Sequence, residues 1–482
     1  MKGLKNYKDF GEVYDSIGEK NFGNVGFALI LLLIFVPFVA GIVNYVMLYN
    51  FYHKRIGYYA YEYNYKCMTL WNTVFVLMIM WVVVYILGKI KVDGNGTKGF
   101  LLSIRKKQPW LIWWLILLAW TIVPVMCSVD PMGSIFGIDQ LASGYISHFY
   151  MFGVMGCAFM ISDRKQKETV VWLFIVSTDI LSVIMLAYEY DIPFLKSFSA
   201  APGVSVYTNS NHYGYIITMA YMAITGIYYM SLFEKNKSVR LLKKMICLVS
   251  FVVHAFAMVV NDTLGSYLAI VFTVVIMPIL WFIRTKKFKI EYMLPLIIMV
   301  VFTVVSYEGY IYTKLGSNIG QSLVVFVQDL FKVSQKSEGY EHAGTDRIGL
   351  WIDTIKKIKE RPIVGYGPDI VVDRNGNWIL WNTPHNEFLE CAFFMGIPGV
   401  ILYLGGLIQL FIIKIKRIKK LSLYELMTAG VIIGYLTSSF FGVRKFNTVC
   451  YFFMFIGLLL KEEKSETDSD NLDNPKIILK KN

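Results

Sequence analysis

Two residues of this 482-residue chain combine type and setting in a way that could do chemistry. His385 stands in Thr383-Pro384-His385-Asn386-Glu387, where a polar stretch gives way to an apolar run. Imidazole titrates near pH ~6.5, so it is the usual side chain for taking a proton from a hydroxyl at neutral pH. Pro384 restricts its approach, and Asn386 or Glu387 is within reach to orient the ring. A histidine that only caps a helix or rests at an interface has the same spacing. Arg347 opens Arg347-Ile348-Gly349-Leu350-Trp351. Its guanidinium is a planar fork of donors matched to phosphate oxygens. The plain alternative is an arginine that snorkels to ordinary headgroups.

The elements that must position this pair follow from periodicity. Ile348, Trp351, Ile352, Ile355 and Ile358 recur at helical spacing, with Lys356, Lys357, Lys359 and Glu360 on other faces. That pattern predicts an amphipathic helix lying at a membrane surface. Thr345 or Asp346 can cap its start, and Pro362 stops it. Arg347 would then project from the first turn at headgroup depth, where the diphosphate of a lipid carrier would lie. Gly365-Tyr366-Gly367-Pro368 reads as a turn, either structural or bringing backbone close to a substrate.

A membrane is required by composition. The chain is 56% hydrophobic and 17% charged, with a mean hydropathy of +0.51. Soluble domains are roughly 45–50% apolar and about 25% charged. Disorder, coiled coil and a disulfide scaffold are excluded on the same grounds. The net charge of +13 would fit nucleic acid in a soluble protein, but here the basic residues lie between apolar runs. We expect an all-α polytopic membrane protein of about 12 transmembrane helices. The candidate spans lie near 25–48, 68–88, 110–127, 145–162, 169–188, 212–232, 244–261, 263–283, 292–307, 386–413, 425–441 and 446–460. The first is too long for a signal-peptide core.

Loop charge orients them. Alternate loops, from Lys89–Lys107 through Arg164–Lys167, Lys235–Lys244, Arg284–Lys289 and Lys414–Lys420, hold 23 basic residues against six in the opposite short loops. The richer set, and with it both termini, should be cytoplasmic. The expected organisation is a cytoplasmic N-terminus (1–24), nine spans (25–307), a large extracytoplasmic loop carrying the interfacial helix (308–385), three more spans (386–460) and a disordered cytoplasmic tail (461–482).

The remaining polar residues carry less. The six cysteines lie in or beside apolar runs without a CxxC or Cys/His cluster and read as small buried hydrophobes. His254 and His148 read as packing residues, and His53 and His342 have no partner that spacing reveals. His212, after Asn209-Ser210-Asn211, stands at the outer end of the sixth span and could line a cavity. Asp262 is the remaining acidic candidate at the outer surface.

In combination, Arg347 with Trp351, the Arg361-Pro362 step, Gly365-Tyr366-Gly367, and His385-Asn386 with Gly396 and Gly399 beyond resemble the signature of the O-antigen ligase and polymerase family. The likeness is clearest from about 340 to 400. Weaker echoes are Ser128-Val129-Asp130 with Phe136-Gly137, and Asn209-Ser210-Asn211. The resemblance implies a GT-C-like membrane glycosyltransferase, inverting, needing no metal, nucleotide sugar or other cofactor. It would move a glycan from an undecaprenyl diphosphate carrier to an acceptor hydroxyl at the outer face of the cytoplasmic membrane. His385 would be the general base, and Arg347 would hold the diphosphate. Trp351, Gly365, Tyr366, Gly367, Asn386, Asn209, Asn211, His212 and Asp262 would line the substrate site. The family often has an arginine where this chain has Leu264; Arg444 and Lys445 are the candidate substitutes.

Polymerase and ligase share these residues, and we lean to polymerase, making O-antigen, capsule or exopolysaccharide. The runner-up from another class is a lipid-linked oligosaccharide flippase, which would show ionisable residues and broken helices within its spans. The expected partners are the lipid-linked glycan, the bilayer, and a flippase and chain-length regulator; nucleic acid is not expected.

Overall fold

The structure is a computed structural model. It describes the chain except residues 1–6, 48–64, 93–95, 138–142, 200, 208, 312, 315, 336–337, 345, 373–375, 381 and 461–482. Thr345, His53 and the acidic tail therefore lie outside the described residues. Within them the fold is all-α, with no strand. The helices are α1 (Phe10–Ile17), α2 (Glu19–Met47), α3 (Tyr65–Val92), α4 (Gly96–Lys107), α5 (Trp110–Met126) and α6 (Pro131–Phe136). There follow α7 (Tyr145–Met160), α8 (Arg164–Glu189), α9 (Ser210–Ser231), α10 (Lys237–Asn261), α11 (Leu264–Thr285) and α12 (Leu294–Tyr307). The last five are α13 (Ile319–Gln335), α14 (Arg347–Glu360), α15 (Glu387–Lys416), α16 (Leu423–Ser439) and α17 (Phe446–Leu460).

Seven segments are long and apolar enough to cross a bilayer, in α2, α3, α8, α10, α11, α12 and α15; α5, α7 and α17 are apolar but shorter. Each of the twelve candidate runs is helical, yet α9 and α16 belong to neither group. The reason is where they sit. Nineteen of the 22 residues of α9 are buried, whereas only 17% of the apolar window of α3 is covered by protein. A helix that meets protein on every side can carry tyrosine and threonine, provided their hydroxyls find partners. The Tyr221 and Tyr229 hydroxyls donate to the Pro295 and Tyr292 carbonyls, both at 2.6 Å. Gly226 lets α16 approach, because a Cβ there would lie 2.0 Å from Met427 Cγ. Around this central pair, α8, α10 and α11 pack on one side, and α2, α3, α7 and α17 on the other, with α5 along α15.

Three local expectations change. The stretch 308–385 holds two helices, α13 as well as the expected α14. Asp346 precedes α14 in the left-handed region (φ 63°) and its side chain makes no cap hydrogen bond; it accepts instead from His342 Nδ1 at 2.7 Å. His342 therefore has a partner after all. Along α14 the buried row is Leu350, Thr354 and Ile358, while Ile355 is exposed.

The helix that carries the candidate base is broken. Inside α15, Gly396 has φ 73° and ψ 174°, a conformation open to glycine. Ile363 O fills the space beside it, 1.8 Å from where a Cβ would be. The carbonyls released by the break accept from the incoming loop, Phe393 O from the Tyr366 N–H and Phe394 O from the Gly367 N–H, each at 3.0 Å. The Ile397 N–H donates to Pro362 O at 2.8 Å. Gly365-Tyr366-Gly367 thus repairs the backbone of a broken helix, and a Cβ on Gly365 would stand 2.6 Å from Phe394 O.

Candidate functional site

His385 is the last residue but one before α15. Asn386 is the N-cap, and its side chain accepts from the Phe388 and Leu389 N–H groups, both at 3.0 Å. That capping fixes the turn, but it also means that Asn386 does not orient the imidazole. Neither does Glu387, whose carboxylate accepts from Tyr403 Oη at 3.2 Å and Tyr435 Oη at 3.0 Å. Both orienting roles read from sequence are thereby corrected. His385 is half-buried, its backbone is left-handed (φ 47°), and its Nδ1 is buried without a hydrogen-bond partner among the described residues. For a non-glycine residue such a conformation costs on the order of 1 kcal/mol and is found most often where function demands it.

Arg347 comes to the same place from α14. Trp351, one turn along, donates its indole N–H to Pro384 O at 2.8 Å and packs edge-on to Phe440, which ties α14 to the residue before His385. Arg347 Nη2 reaches Asn211 Oδ1 at 3.5 Å, and Asn211 itself is held by Asn209, the N-cap of α9, whose side chain accepts its N–H at 2.8 Å. Burial pushes the Arg347 pKa down. Burial, and then the Arg347 charge, lower the His385 pKa to about 4. His212 lies buried in the first turn of α9.

Arg347 also forms the head of a groove. Leu264, Gly265 and Leu268 of α11, Phe326, Leu330 and Val333 of α13, and Ile348 and Trp351 of α14 line it, leaving about 110 Å³ of open space beside the guanidinium. The lining is apolar apart from Arg347 and Asp329, and Asp329 is occupied in accepting the Gly344 N–H at 2.8 Å. Leu264, where an arginine was expected, forms part of this wall.

The structure separates the other candidates. Asp262, the left-handed C-cap of α10, accepts from Ser317 Oγ at 2.6 Å and Ser322 Oγ at 2.8 Å. It pins the start of α13, and burial raises its pKa. Lys445 is fully buried. Arg444 lines a small cavity of about 20 Å³ with Ser143, His148, Glu387, Glu390 and Tyr403. Its backbone N–H donates to Glu390 Oε2 at 3.3 Å. Burial acts to lower the Arg444 pKa, but the facing charge of Glu387 and its neighbours raises it overall. The Arg444 charge thus faces two buried acids across this cavity. Glu387 and Glu390 were the residues that sequence reasoning missed as a pair. Acids in the first turn of a helix are ordinary, and only their burial, at 2% exposure each, marks them as unusual. Tyr215 lies between the two centres, within electrostatic reach of Arg347, Glu387 and Glu390.

Apolar helices around a half-buried Arg–His pair at one end define a multi-pass membrane protein with a polar site at the rim of the bundle. Residues 249–404 match the family described as O-antigen ligase, and that segment contains α11, α13, α14, His385 and the break in α15. The family resemblance read from residues 340–400 thus holds. No curated protein matches the chain.

Proposed function

We propose that this protein is a metal-independent, inverting glycosyltransferase. It would join an undecaprenyl-diphosphate-linked oligosaccharide to an acceptor hydroxyl at the outer face of the cytoplasmic membrane, within a GT-C-like fold of twelve crossings and cytoplasmic termini. The observation that carries this reading is Arg347 at the head of an apolar groove, with His385 within electrostatic reach of it. The groove suits a prenyl chain, and the guanidinium suits the diphosphate at its end. His385 Nδ1 or Nε2, neutral at physiological pH, takes the acceptor's proton as its oxygen attacks the anomeric carbon from the face opposite the carrier. Arg347 stabilises the charge that grows on the departing diphosphate. Polymerisation of repeat units is the first reading and ligation to a final acceptor the second; a flippase and a chain-length regulator would be its neighbours in the pathway.

The flippase reading has two observations in its favour, the break in α15 and a close polar pair within the spans, His254 Nδ1 to Asp179 Oδ1 at 3.0 Å. Both have local explanations, since the break is filled by the Gly365 loop and the pair joins α8 to α10. The deciding experiment is the length profile of lipid-linked and mature glycan in cells lacking the gene, rescued with wild type, Arg347→Ala or His385→Ala. Single repeats rescued only by wild type support a polymerase, and full-length glycan stranded on its carrier supports a ligase. Repeat units trapped on the cytoplasmic face would overturn the transferase. Each variant should lose about 10²–10³ in rate.

A further inference from the structure

Helix α13 is anchored at the ends of three apolar helices. Its start is fastened to α12, where the Gly320 N–H donates to Ser306 Oγ at 3.3 Å and a Cβ on Gly320 would stand 2.8 Å from Tyr307 Cα. Asp262, the C-cap of α10, holds Ser317 and Ser322. Further along, Phe326, Leu330 and Val333 share the groove with Leu264 and Leu268 from the start of α11. Tyr307 ends α12 and Leu264 begins α11, and α10, α11 and α12 are each long and apolar enough to cross a bilayer. The anchors therefore set α13 at the depth where a span ends, which is where hydrocarbon gives way to headgroups.

At about 100° per residue, the side chains of α13 divide into three faces. Ser322, Phe326, Asp329 and Val333 form the face docked on the bundle. Gln321, Gln328, Lys332 and Gln335 form a second, and all four are exposed, with the exposed Val325 at its edge. The third is apolar, Leu323, Val324, Val327, Leu330 and Phe331, and from Val324 onward it too is exposed, Phe331 at 63%. Gly320 lies on this third face. At its first turn the face therefore rests on the end of α12, and beyond that turn it continues uncovered. The neighbouring surface of α12 is of the same kind, since protein covers only 22% of its apolar window.

We propose that α13 is an interfacial helix, with its apolar face seated in the acyl layer of the leaflet on the Arg347 side and its glutamine face in water. A helix beside the end of a span has protein on one flank, hydrocarbon below and water above, and these residues divide in that way. Leu330 belongs both to the apolar face and to the groove wall, and is half exposed. The groove beside Arg347 thus opens onto the acyl layer, and an apolar chain enters it without crossing water. The placement rests on the anchors and the three faces, and not on the transferase reading.

The test uses the full-length protein in phosphatidylcholine nanodiscs, with Cys67→Ser and Cys127→Ser, spin-labelled in turn at Val327→Cys, Leu330→Cys, Phe331→Cys, Gln328→Cys and Gln335→Cys. Collision rates with oxygen, which concentrates in hydrocarbon, and with a water-soluble nickel chelate report what surrounds each label. The oxygen-to-nickel ratio should be several-fold higher at Val327, Leu330 and Phe331 than at Gln328 and Gln335. It should match the ratio at Val301→Cys, on the exposed side of α12. Equal ratios at Val327, Phe331 and Gln328 would put the face in water and overturn the proposal. Low collision with both reagents at Val327 and Phe331 would mean that protein covers the face, a second copy or residues 48–64, and would overturn it equally. A nickel-rich label at Leu330 alone would overturn the opening of the groove. Wild type gives a check without substitutions, because a phosphatidylcholine with a diazirine in its acyl chain should crosslink to residues 324–331 as it does to 297–304. Crosslinks at 297–304 alone would refute the seat in lipid.

Discussion

Burial and the Arg347 guanidinium together keep the His385 imidazole neutral down to about pH 4, and among the described residues nothing hydrogen-bonds its buried Nδ1. Its protonation is therefore open to whatever binds beside it. An anionic diphosphate on Arg347 would offset the guanidinium and raise the histidine pKa, making it a stronger base once the donor is in place. The acid limb of kcat/KM, which reports the free enzyme, should then lie at lower pH than the acid limb of kcat, which reports the bound state. The opposite order would refute this coupling. Stability carries the same sign. The unfolded imidazole takes a proton below about pH 6.5 and the folded one only near 4, so this contribution is present above pH ~6.5 and declines as pH falls between the two. At this scale the sequence showed residue types but not their neighbours. Arg347 and His385 could be named from chemistry and spacing, whereas the roles first given to Asn386 and Glu387 failed because capping and tyrosine hydroxyls claim those side chains.

At the scale of the element, the broken α15 and the α16–α17 connection hold the site's rear wall. Gly396→Ala would place a methyl against Ile363 O and require a side chain at φ 73°. We expect a loss of roughly 2–4 kcal/mol from strain and displaced hydrogen bonds, read as a lower thermal midpoint in detergent. Gly399→Ala, outside the break, should cost less. Glu387 and Glu390 face the Arg444 charge across the same cavity. Arg444→Met alone should destabilise by about 1–3 kcal/mol, while Arg444→Met/Glu387→Gln should recover part of that loss. A double-mutant cycle that showed simple additivity would argue against the coupling. Periodicity disclosed α14 and the apolar spans because repeating patterns are local. It could not disclose the break, since Gly396 and Pro398 are tolerated in many spans, and only the docking of residues 362–367 shows that the helix is interrupted there.

At the scale of the whole molecule, composition and loop charge were enough to read a helical membrane protein, and the match over residues 249–404 agrees with the residues that carried the resemblance. The number of spans was less legible, because hydropathy measures contact with lipid and α9 has almost none. A polar helix at the centre of a membrane bundle has a consequence in time. Its principal neighbour α16 begins nearly two hundred residues later in the chain, which at ribosomal speed is a delay of about 10–40 s. Through that interval α9 has its tyrosines and threonines but not the helix that covers them. The nascent chain must hold it against α8, α10 and α11, or within the insertion machinery, until α16 emerges. Truncation before residue 423 should therefore leave α9 accessible to water-soluble thiol reagents at an introduced cysteine, and extension past 439 should protect it.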